Sequence, residues 1–199
     1  LLLRVSAIGA IEEEIHLPEP IARHALRFGF EGVTVVGEGA SETVWIAVQR
    51  EWANDPRGRV QILRYQVATR AWGVLHYPLD ATPAGWMGLS EITATGPDSF
   101  VVIERNNQWG DAAIKRLYAF SVAGLTPAAP GAEEVPLITK RLVRDVVPDL
   151  ARTGGIVLEK LEGFAVDAAG DAFAVTDNDG VQNVSGETQF LRLGRLPLR

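Results

Sequence analysis

The chain has 199 residues, with 19 Lys and Arg against 25 Asp and Glu, for a formal net charge of −6. Net acidity without a Lys/Arg run argues against an electrostatic grip on nucleic acid or on an anionic bilayer, and no run of ~18 apolar residues is present to span one. Cysteine is absent, which removes disulfides, thiolate nucleophiles and Cys-ligated zinc together.

The 20 Gly and 11 Pro sit mostly between short apolar runs, the punctuation of an all-β protein. Arg4 to Pro18 predicts two short strands, and Pro20 to Phe28 a helical turn. Gly32–Val36 and Val44–Val48 follow as β-branched strands around a Gly-containing loop. Arg59–Val67 alternates as a third strand, and Trp72–Pro78 is a fourth, stopped by its proline. Four antiparallel strands with short connections over about 50 residues make one blade of a β-propeller.

Internal repetition supports that reading. Phe30-Glu31-Gly32-Val33, Leu89-Ser90-Glu91-Ile92 and Leu161-Glu162-Gly163-Phe164 superpose, with starts at Glu31, Ser90 and Glu162 spaced by 59 and 72 residues. Each is followed by a turn and a second apolar strand: Val44–Val48, Ser99–Ile103 and Ala172–Thr176. Each second strand runs into a polar cluster: Gln49-Arg50-Glu51, Glu104-Arg105-Asn106 and Asp177-Asn178-Asp179. Strands at Arg116–Val122 and Gln189–Leu193 continue the second and third repeats. Residues 124–136 form an irregular Pro/Gly-rich insertion within one blade. Because propellers close with 4–8 blades, the chain reads as a single domain over residues 1–199. It is expected to be the C-terminal part, about three to four blades, of a larger propeller whose start lies upstream.

Rotation about a propeller axis brings equivalent polar positions together. The convergent set is Glu31, Ser90 or Glu91, Glu104, Glu162, Asp177, Asn178 and Asp179. Clustered carboxylates repel. One resolution is a hard divalent cation held by oxygen ligands, with Ca2+ the commonest, and Glu31, Glu162, Asp177, Asn178 and Asp179 are the candidate ligands. The other is proton sharing with one pKa raised. The competing structural reading is that Glu31 and Glu162 tie backbone amides of neighbouring blades, and that Asp177 to Gly180 is a plain turn. Walker A, G-x-G-x-x-G and G-x-S-x-G motifs are absent.

Several segments together resemble the phytase-like family, characterised by an esterase-like activity of phytase. They are Gly29-Phe30-Glu31-Gly32-Val33, Leu63-Arg64-Tyr65, Tyr77-Pro78-Leu79-Asp80, Gly88-Leu89-Ser90-Glu91-Ile92 and Phe100 to Arg105. Arg116-Leu117-Tyr118, Lys140-Arg141-Leu142, Lys160-Leu161-Glu162-Gly163 and Thr176 to Asp179 follow in the family's order. The resemblance implies a β-propeller, export to the periplasm or beyond the cell, and hydrolysis of a small-molecule ester or phosphoester, with calcium assistance. On that reading Glu31, Glu104, Glu162, Asp177 and Asp179 handle water and metal, and Lys160 or Arg105 neutralises a developing anion. The alternatives are a non-catalytic propeller that binds a small ligand or a protein, and a lactonase-type propeller enzyme.

Overall fold

A computed structural model describes residues 1–178 and 188–198; Asp179 and Gly180, named above, lie outside them. The described residues are all-β, with 13 strands in four antiparallel sheets, two α-helices of one turn or little more and two 3-10 turns. Strands β1 (Leu2–Val5) and β2 (Ile11–Ile15) pair as a hairpin, and the one-turn helix α1 (Glu19–Ala22) follows, where the helical turn is expected. The first large sheet is β3 (Phe30–Val36), β4 (Thr43–Val48), β5 (Arg59–Gln66) and β6 (Ala71–Pro78), in chain order. The second is β7 (Met87–Gly96), β8 (Ser99–Asn106), β9 (Lys115–Ser121) and β10 (Lys140–Asp145), again in chain order. Helix α2 (Val147–Ala151) leads to the third sheet: β11 (Leu161–Val166), β12 (Asp171–Thr176) and β13 (Phe190–Arg195). No helix among the described residues is long and apolar enough to cross a membrane.

The sheets stack because β4, β5, β8 and β9 are apolar on both faces, as strands buried on both sides must be. Trp45, Ala47, Ile62, Leu75 and Tyr77 of the first sheet pack on Leu89, Ile92, Phe100, Val102 and Phe120 of the second. The opposite face of the second sheet (Val101, Ile103, Leu117, Ala119) packs on Leu161, Phe164, Ala172 and Leu191 of the third. The far face of the first sheet takes Ile46, Val48 and Leu63 together with Ile21 and Trp52.

The first strands of the three sheets meet side by side. Gly32 makes this possible: a Cβ there would lie 2.4 Å from the Ile92 amide nitrogen and 2.8 Å from the Glu91 Cα. Side chains then stitch the strands. Ala94 N–H donates to Thr34 Oγ1 (3.2 Å), Ser90 Oγ donates to the Leu161 carbonyl (2.7 Å), and Thr93 Oγ1 donates to the Phe164 carbonyl (2.8 Å). The segment between β9 and β10, which holds residues 124–136, turns back on the first sheet. Val74 and Ala128 exchange both backbone hydrogen bonds, and His76 is bonded to Pro136 and Ile138.

Candidate functional site

Each first strand carries a β-bulge at the same place. Register slips past Glu31 in β3, past Ser90 in β7 and past Glu162 in β11. A bulge leaves one residue out of the ladder and re-aims its side chain, so the sequence repeat coincides with a backbone device. Immediately before it, Phe30 pairs with Val48, Leu89 with Glu104 and Leu161 with Thr176. Immediately after it stand Gly32, Glu91 and Gly163, so Glu91 places a carboxylate where the other two repeats have no side chain.

Glu162 accepts a hydrogen bond from Arg105 Nη2 at 2.6 Å, and Arg105 Nη1 lies 3.6 Å from Glu159. Arg105 is 3% exposed, and its Nε and Nη1 have no hydrogen-bond acceptor among the described residues. Burial raises the pKa of the Glu162 carboxyl; Arg105 and Lys160 pull it down and Glu31 pushes it up. Glu31 is likewise raised by burial and opposed by Arg105 and Lys160, so it shares the field of the same two cations. Burial, with a contribution from Glu162, brings Glu91 up to about 7, although its Oε1 accepts from the Ile92 amide at 2.7 Å. Asp177 N–H donates to the Lys160 carbonyl (2.9 Å), which sets Asp177 and Asn178 beside Lys160 at the same end of the third sheet. Six of the expected residues, Glu31, Glu162, Arg105, Lys160, Asp177 and Asn178, are thus drawn to one end of the first strands.

Glu104 goes elsewhere. Neighbouring strand residues face opposite sides of a sheet, and where Arg105 turns to the third sheet, Glu104 turns to the first. It is wholly buried. It accepts from Tyr77 Oη (2.8 Å), Asp80 N–H (2.6 Å) and Lys140 Nζ (2.6 Å). Lys140 also reaches Asp80 Oδ1 at 2.8 Å, and Arg116 and Tyr118 both bond Asp80 Oδ2. Burial raises Glu104 against the pull of Lys140. Asp80 stays low despite burial, because Lys140, Tyr118 and Arg116 all bond it.

Calcium takes 6–8 oxygen ligands. Among the described residues, no three His, Cys, Asp or Glu side chains are placed to hold a metal ion. The Glu162 carboxylate is instead paired with a guanidinium. Asp179, the fifth candidate ligand, lies outside the described residues.

Three groups stand outside the catalytic and metal sets expected from the sequence. Glu91 was visible only as an alternative to Ser90. Arg50 and Trp86 come forward through packing: the Arg50 guanidinium lies 4.9 Å from the centre of the Trp86 ring and that of Arg105 lies 5.6 Å from it.

The phytase-like family, described as having the esterase-like activity of phytase, matches residues 1–180. The chain belongs to this family. No curated protein and no solved structure matches it. Within this phytase-like chain, the match spans all three bulged first strands and both charge networks of β8.

Proposed function

We propose that this phytase-like chain hydrolyses an ester or phosphoester at the end of the first strands, where Glu31, Glu91 and Glu162 meet Arg105 and Lys160. The reading also takes the stacked sheets as propeller blades and the first strands as lining the axis. The observation that carries it is the pairing, in one place, of carboxyl groups whose pKa values burial lifts toward neutrality with a buried arginine that keeps unused N–H donors.

The chemistry follows from those groups. Glu91, titrating near 7, takes a proton from a water as the water oxygen attacks the carbonyl carbon or the phosphorus. Arg105 and Lys160 stabilise the oxyanion that develops. The bond to the leaving alkoxide breaks, and the alkoxide takes the proton back from Glu91. Glu162 holds the Arg105 guanidinium in place, and Glu31 tunes both by its charge. Glu104 has no part in this scheme, since its oxygens are occupied by Tyr77, Asp80 and Lys140. Support for export, to the periplasm or outside the cell, comes from family resemblance.

The test is an ester and phosphoester panel assayed with the purified protein, its Glu91→Gln variant, and each with Ca2+ or with chelator. Turnover that falls in Glu91→Gln by about 10²–10⁴, the usual range for a general base, is the expected result. A wild type inactive on every substrate sinks the hydrolase reading in favour of a binding propeller. Activity that needs Ca2+ would transfer the chemistry from Arg105 and Lys160 to a metal.

A further inference from the structure

A cleft lies beside this site, walled by Arg50, Arg57, Asp80, Thr82, Trp86 and Met87, with a volume of about 540 Å³. Its cations and its anions are unequally engaged. Asp80 is committed to Lys140, Arg116 and Tyr118, and Glu51 at its edge accepts from the Gly58 amide. Arg50 and Arg57 have no ion pair among the described residues, and the buried Nε of Arg50 has no hydrogen-bond acceptor there.

Arg50 is held by rings rather than by carboxylates. It lies 5.1 Å from the centre of Phe28 and 4.9 Å from that of Trp86, and the two rings are 5.4 Å apart. Phe28 reaches this position with φ at +71°, a left-handed conformation that is costly for a bulky side chain and that collects at ligand clamps. The other contact of Trp86 is Arg105. One indole therefore separates an arginine open to the cleft from the arginine of the hydrolytic site. An arginine stacked on aromatic rings keeps its planar fork free for bidentate recognition of carboxylate or phosphate.

We infer that the cleft is a docking subsite for an oxyanion, carboxylate or phosphate, borne by the substrate. Arg50 and Arg57 bind it, and Trp86 sets its distance from the ester presented to Arg105. The inference rests on the hydrolytic reading for its second half, the presentation of the ester; binding of the oxyanion stands without it.

Calorimetric titration of the protein with phenyl phosphate, benzoate and phenol tests the binding. The two anions are expected to bind and phenol not to bind. Arg50→Gln and Arg57→Gln are each expected to weaken the anions tenfold or more, while Glu162→Gln leaves them bound. Arg57 is exposed and outside the core, so its variant keeps the test open should Arg50→Gln unfold. Equal binding of phenol, no binding of either anion, or anion affinities unchanged in both arginine variants overturns the subsite. Kinetics separate the two proposals: 4-carboxyphenyl acetate should show a tenfold higher KM and an unchanged kcat in Arg57→Gln, with phenyl acetate unaffected. Hydrolysis of both esters that is indifferent to Arg50 and Arg57 refutes the subsite and leaves the hydrolase standing. Arginine-dependent anion binding without hydrolysis of any ester does the reverse.

Discussion

Glu104 and Arg105 are consecutive residues of one strand, and they stand in two charge networks of opposite character. On the Glu104 side every charge is answered: two carboxylates, a lysine and an arginine interlock with two tyrosines, and Lys140 sits 4.2 Å from the centre of the Tyr118 ring. On the Arg105 side the carboxyls outnumber their bonds, their pKa values rise, and guanidinium nitrogens are left over. A closed network holds two sheets together. An unclosed one retains capacity for a ligand, and this is why the proposed chemistry lies on one side of β8 and not on the other.

Substitution should separate the two sides. The largest effect expected is on turnover: Glu91→Gln lowers kcat by about 10²–10⁴ and leaves the denaturation midpoint at or above that of the wild type, as read by steady-state assay beside urea unfolding. Glu104→Ala reverses this pattern. It leaves the buried Tyr77 hydroxyl and the Asp80 amide without an acceptor and takes one of two carboxylates from Lys140, so unfolding free energy should drop by about 1–3 kcal/mol for each donor left unmet, while whatever folded protein remains keeps its kcat. Gly32→Ala probes the seam between the first strands. Its Cβ meets backbone rather than a yielding side chain, so a loss of about 1–3 kcal/mol is expected.

The smallest effect is on pH dependence. Glu91 has a folded pKa near 7 against an ordinary glutamate value of 4.5. The folded state holds its proton more tightly, so the stability it contributes is full below about 4.5 and is lost as pH rises through 7. Melting temperatures across that window should decline less in Glu91→Gln than in wild type. The same residue gives the rate its rising limb near pH 7. A limb that persists in the variant would assign the base to another group.

Much of the architecture could be read from the sequence. Val33–Val36, Val44–Val48, Phe100–Ile103, Phe164–Val166 and Phe173–Val175 all lie in strands, because β-branched runs between Gly and Pro punctuation leave little choice. The repeat starting at Glu31, Ser90 and Glu162 marked the bulges themselves. The polar clusters were less legible by one position. Aligned as strings, Gln49, Glu104 and Asp177 correspond. Paired through the ladder, Val48, Glu104 and Thr176 do, and Glu104 falls on an inward position that its counterparts fill with Val and Thr. Period two would have set it opposite Arg105, but a carboxylate at a core position is unexpected until Lys140, 36 residues away, arrives to meet it. In the sequence Arg50 is only a member of a polar cluster and Trp86 one of several Trp residues flanking such clusters; their stacking with Phe28 joins three separate segments and has no spacing to detect.

The connection between β9 and β10 bears on solubility. Strand β6 closes the first sheet, and its outer N–H and C=O groups at Val74 and His76 would otherwise face solvent as a template for any extended peptide. Ala128, Pro136 and Ile138 take those bonds. A segment rich in proline, itself a poor β-pairing partner, thus acts as a selvedge that seals the weave of one sheet with thread drawn from the next, and shortening it would leave β6 open to recruiting other copies of the chain into aggregates.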